Sequence, residues 1–118
     1  EKAQETARFA ESSGLVVEIN PIATPAAHTV DLVVTTVPVV ALSGMEHGIT
    51  ATAHSVFEVV YDPWPTPVMR SAQADGTPLV TSIDLLAHQA VLQITAMTGE
   101  LIDPDVLIRA AREELARR

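Results

Sequence analysis

The run Val56-Phe57-Glu58-Val59-Val60-Tyr61-Asp62-Pro63-Trp64-Pro65-Thr66-Pro67 (VFEVVYDPWPTP) decides the fold. Its first six residues are β-branched or aromatic except for Glu58, the composition of a strand buried in a parallel sheet. The next stretch, from Val59 to Pro67, holds three of the chain's eight prolines and its single Trp and single Tyr. Proline fixes φ and donates no hydrogen bond, so the strand must end near Asp62 and its exit must be stiff. Thr66 suits a helix N-cap and Pro67 the first helical position, with Val68, Met69 and Ala72 as the apolar stripe and Gly76 as the stop. Strand, stiff turn and capped helix make half of a parallel crossover.

Working outward, Pro78–Thr81 reads as a short strand. A helix follows over Ile83–Thr98, with Leu85, Leu86, Ala90, Ile94 and Met97 on or beside one face and Gly99 as its stop. Asp103-Pro104-Asp105 opens a last helix to Arg118. Upstream, Val30–Val37 (VDLVVTTV) is a near-continuous β-branched run. Before it come a turn-rich segment, Asn20-Pro21-Ile22-Ala23-Thr24-Pro25, and an expected strand over Leu15–Ile19. Ala3, Ala7 and Ala10 fall at helical spacing ahead of Gly14 with no capping residue before them, so the chain is expected to begin inside a helix. Residues 38–55 (PVVALSGMEHGITATAHS) carry no clear period. The order predicts an α/β fold, a partial Rossmann-like parallel sheet of about four strands with C-terminal helices. It matches the second half of a doubly wound nucleotide-binding domain, and no G-x-G-x-x-G is present. Residues 1–82 are expected to form that second part and residues 83–118 a helical segment packing on it.

The 118 residues are 47% hydrophobic, enough for one modest domain with a core. A net charge of −8 argues against a nucleic-acid footprint, which draws on Lys and Arg displacing counterions. Arg109, Arg112, Arg117 and Arg118 gather near the C-terminus, where cations complement a helix dipole. With no cysteine, disulfides and thiolate metal sites are excluded and a reducing cytoplasm is the expected location. The apolar runs are too short to span a bilayer, and neither a membrane partner nor a leader is predicted.

His28, His47, His54 and His88 lack any metal-ligand signature, so no metal is expected. Glu46-His47 reads as part of a solvated loop. The serines lack the G-x-S-x-G elbow, and Lys2 is the only lysine. What remains are the strand carboxyl ends, where open α/β sheets bind ligands. Thr35-Thr36, Tyr61-Asp62-Pro63 and Thr81-Ser82 form one rim if their strands are neighbours about 4.8 Å apart. Gln89 lies two helical turns past Ser82, roughly 10 Å along the axis, and its amide can both donate and accept. It reads either as a ligand contact or as a partly exposed helix residue.

Two motifs in register resemble the shikimate dehydrogenase family. Tyr61-Asp62-Pro63-Trp64-Pro65-Thr66-Pro67 is similar to its Y-x-P-x-x-T-P, and Leu86-Ala87-His88-Gln89-Ala90 followed by Thr98-Gly99 to its L-V-H-Q-A and closing T-G. The resemblance implies the C-terminal, NADP-binding portion of such an enzyme, lacking its N-terminal substrate domain. The parent reaction is the NADPH-dependent, reversible reduction of 3-dehydroshikimate to shikimate, on the chorismate route to aromatic amino acids. The resemblance assigns Tyr61 and Gln89 to the substrate, and Val59, Ser82, Leu85, Thr36 and Val37 to the cofactor. It places the catalytic lysine and aspartate in the N-terminal domain, so these residues alone are expected to be inactive and to expose apolar surface that favours self-association. The chain departs from the family at Ser82 and Asp84, where glycine is usual, and at Thr35, where an asparagine stands in N-A-T. A non-catalytic half-Rossmann interaction module, or a quinate-using or NAD-using relative, stays open as an alternative.

Overall fold

A computed structural model describes residues 2–22 and 28–117. Helix α1 (Lys2–Ser12) is followed by strand β1 (Val30–Thr35), a 3-10 turn at Val39–Leu42, α2 (Glu46–Ala51), β2 (Ala53–Glu58), α3 (Pro67–Asp75), β3 (Leu79–Thr81), α4 (Ser82–Thr98) and α5 (Pro104–Leu115). The three strands form one parallel sheet in the order β1-β2-β3, matching the Rossmann-like class. Val33, Val56 and Leu79 stand in register, and so do Thr35, Glu58 and Thr81.

Alternation along the strands separates the two faces. On one, α2 and α3 cover a small core of Leu42, Val56 and Val68, with Val37, Met45, Ile49 and Leu79 packed against it. Met69 and Ala72 are buried on the inner side of α3, as the stripe required. On the other face Leu32, Val34 and Val80 are each about half exposed. Helix α1 buries no side chain, and α5 packs on α4. No described helix is long and apolar enough to cross a membrane.

The sheet has three strands rather than four. Leu15–Ile19 is irregular, with Val16 98% exposed, because an extended segment becomes a strand only beside a ladder partner, and among the described residues β1 pairs with β2 alone. Of the turn-rich 20–25, residues 23–25 lie outside the described set. The unpatterned 38–55 resolves into the 3-10 turn, α2 and the start of β2. Glu46 and His47 are accordingly helical, not part of a loop, since His47 and Thr50 tie this turn of chain to α3. Strand β2 starts at Ala53 and leaves the ladder after Glu58, before Tyr61, because the amide of Val60 is taken by the Glu58 side chain. Helix α4 starts one residue earlier than its periodicity suggests, because Thr81 caps it.

Candidate functional site

Parallel pairing brings the three carboxyl ends together as the sequence required: Thr35, Glu58 and Thr81 are adjacent and all buried. The segment leaving β2 is held from both sides. The Val59 amide donates to the Thr35 carbonyl (3.0 Å), and the Ser82 hydroxyl at the start of α4 donates to the Val60 carbonyl (3.3 Å). Glu58 uses both oxygens: Oε1 accepts from the Val60 amide (2.9 Å) and Oε2 from the Thr66 hydroxyl (3.2 Å). Thr66 in turn accepts from the Met69 amide (3.1 Å) and so caps α3.

Tyr61 emerges from this frame 53% exposed. With Asp62, Pro63, Trp64 and Leu115 of α5 it lines a concavity of about 260 Å³. The Asp62–Pro63 and Trp64–Pro65 peptides are cis. Gln89 is exposed on α4, Leu85 is partly buried in its first turns, and Ser82 is buried at the tip. Thr36 is exposed just past β1, whereas the Val37 side chain packs against the core. The rim therefore offers a phenol, hydroxyls and backbone groups, with a primary amide further along α4. Groups of this kind can donate to and accept from a polar ligand.

Asp84, where the resemblance leads to an expected glycine, has a local role. Its Oδ2 accepts from the Thr81 amide (2.8 Å) and hydroxyl (2.7 Å), while its own amide donates to Thr81 Oγ1 (3.4 Å), completing a capping box on α4. Its other oxygen lies 3.7 Å from Arg112 Nη2 of α5. Of the C-terminal arginines, then, Arg112 reaches a carboxylate on another helix, and Arg117 donates to the Glu113 carbonyl (3.1 Å). Arg118 lies outside the described residues.

At the opposite end of the sheet, where α2 runs into β2 and α3 into β3, Asp75 accepts from Thr50 and pairs with His47 Nδ1 (3.2 Å), and Ser71 meets Thr50 (2.9 Å). The Thr50 hydrogen bond, aided by His47, lowers the Asp75 pKa from its ordinary value against an opposing burial effect. This cluster joins two helices away from the rim. His88 Nδ1 donates to the Asp84 carbonyl (2.7 Å), and among the described residues no three His, Asp or Glu side chains cluster to hold a metal ion.

Glu58 was not expected at the site. It stands out in the sequence as the one acid in an apolar run, on the same strand face as Val56, but that signal does not say what the carboxylate meets.

The chain is similar to NADP(+)-dependent shikimate dehydrogenases. The one from Methanocella arvoryzae is 36% identical over 63 residues, 53% of this chain and 23% of that enzyme. The one from Archaeoglobus fulgidus is 41% identical over 51 residues, 43% of this chain and 18% of that enzyme. The crystal structure of the Mycobacterium tuberculosis shikimate dehydrogenase superposes on 75% of the chain and 32% of its own, with a TM-score of 0.61 and 26% identity. A shikimate 5-dehydrogenase-like protein matches 98% of the chain and 44% of its own with a TM-score of 0.70; at 24% identity it speaks for the fold alone. The chain thus spans about a quarter of the curated relatives it matches. No family model matches it.

Proposed function

We propose that this chain, a relative of shikimate dehydrogenases, supplies part of the NADP site and one wall of the substrate pocket of an enzyme that interconverts 3-dehydroshikimate and shikimate. The observation that carries this reading is the in-register rim of three parallel strand ends, with Tyr61 leaving β2 and Gln89 two turns into the helix that follows β3. Their order is that of the two motifs shared with the family.

In this reading the phenol of Tyr61 and the amide of Gln89 hydrogen-bond the hydroxyl and carboxylate groups of the cyclohexene acid. The strand ends fit a nicotinamide: backbone groups of Thr36, Val37 and Val59 and the buried Ser82 stand at the tips, and Leu85 offers apolar surface beside them. NADP, when bound, supplies the hydride chemistry. With no glycine-rich turn here, its phosphates are held by residues beyond these. The same applies to the lysine and aspartate that the resemblance assigns to proton transfer. The residues present therefore bind, orient and wall off the reacting ring, a contribution measured in positioning rather than in proton transfer.

Ser82 and Asp84 do not weaken the reading. Each departure from glycine has a structural use, in holding Val60 and in capping α4. In the intact protein that carries these residues, Gln89→Ala is expected to lose about 1–3 kcal/mol of shikimate binding, the scale of a polar contact left unmade in a closed site. Steady-state kinetics check it, and an unchanged KM for shikimate would remove Gln89 from the site.

A further inference from the structure

We propose that Glu58 is a positioning residue for the substrate-facing loop, a single carboxylate that pins both ends of Tyr61–Pro65. The proposal rests on the assignment of Tyr61 to substrate and adds to it the device that aims the ring.

Val60 immediately precedes Tyr61, and Thr66 immediately follows Pro65. One carboxylate accepts from both, at 2.9 and 3.2 Å, so the base of the loop is closed by one side chain. Glu58 is 1% exposed and Thr66 fully buried, so water does not substitute for either bond. The Thr66 hydroxyl has one proton, given to Glu58, and its lone pairs serve the Met69 amide. Loop and helix start are therefore oriented by the same group.

A buried carboxylate is costly unless it is compensated. Among the described residues no Lys or Arg pairs with Glu58. Its compensation is the two donors together with the N-terminus of α3, whose dipole favours negative charge. An apolar residue here would pack more cheaply; a carboxylate is the group that can accept from both loop ends at once. Glutamine conserves the shape and can accept from Val60, but it must reverse the Thr66 hydroxyl. Alanine leaves both donors without a partner.

The test compares Glu58→Gln, Glu58→Ala, Tyr61→Phe and the Glu58→Ala/Tyr61→Phe double variant in the intact protein, reading kcat and the separate KM values for shikimate and NADP. A positioning role predicts a graded rise in shikimate KM, about threefold for Gln and about tenfold for Ala, with the NADP KM changed less than about twofold. In the Glu58→Ala background, Tyr61→Phe should add almost nothing, because the ring is already misplaced. A side chain that only stabilised the fold would lower the active fraction and kcat and leave both KM values alone, which would overturn the proposal. If Glu58→Ala fails to fold, Glu58→Gln still decides: faster amide exchange at Val60 with a raised shikimate KM supports the role, and neither change refutes it. If Tyr61→Phe raises the shikimate KM but the Glu58 variants do not, the positioning proposal fails while the reading of Tyr61 stands. If Tyr61→Phe itself changes nothing, the reading of Tyr61 fails and Glu58 has nothing to aim.

Discussion

Asp84 shows how one side chain can look like a defect by resemblance and a support by geometry. Where the resemblance leads to an expected glycine, this carboxylate accepts from the Thr81 amide and hydroxyl and starts α4 at Ser82. The pattern Thr81-Ser82-Ile83-Asp84 is a capping box readable in the sequence itself, three residues apart and ahead of an apolar run. Replacing Asp84 with Ala should cost about 0.5–2 kcal/mol of stability in denaturant titrations while leaving the shikimate KM unchanged. The Arg112 contact at 3.7 Å adds little to that figure, since Arg112 is largely solvated. An altered KM would place Asp84 in the binding site instead. Glu58 is the opposite case. Strand alternation tells that it shares a face with Val56, but the two donors it accepts from, Val60 and Thr66, belong to the exit of β2 and the start of α3, a path that no period describes.

At the scale of elements, the parts with a strong local signal formed as expected: the β-branched core of β1, α3 between Thr66 and Gly76, and α4 ending at Gly99, whose positive φ of 78° suits glycine, whereas of the run Val56–Tyr61 only Val56–Glu58 lies in β2. Leu15–Ile19 has the same local signal and no partner strand among the described residues, so propensity alone did not make it a strand. Helix α2 was illegible because its six residues include Gly48 and Thr50, poor helix formers, and it is held by contacts to α3. That joint has a pH dependence of defined sign. Asp75 has a depressed pKa, with the Thr50 hydrogen bond as the main cause, so the folded state holds its proton less tightly than the unfolded chain does. Its contribution is complete above the ordinary carboxyl value of 3.8 and is lost as pH falls through the lower folded value. Asp75→Asn should therefore lower stability at neutral pH and flatten the acid limb of a stability-against-pH curve followed by circular dichroism. An acid limb identical to that of the parent protein would contradict the role given to Asp75.

At the scale of the molecule, the described architecture leaves much surface open. The solvent-accessible area is 8413 Å², against about 6,200 Å² for a compact monomer of 12.6 kDa. The radius of gyration is 16.6 Å, against roughly 13.5 Å for a compact domain of this length. One sheet face carries half-exposed Leu32, Val34 and Val80, where a doubly wound sheet has helices on both faces. The aligned part of the chain spans about a quarter of the curated relatives it matches. The proposed role in NADP-dependent shikimate oxidation is tested by the rate of NADPH formation from NADP and shikimate by the intact protein that carries these residues, beside the same protein with Gln89→Ala. Turnover should require both shikimate and NADP, and the substitution should raise the shikimate KM. A correctly folded intact protein that binds neither compound and forms no NADPH would contradict that role.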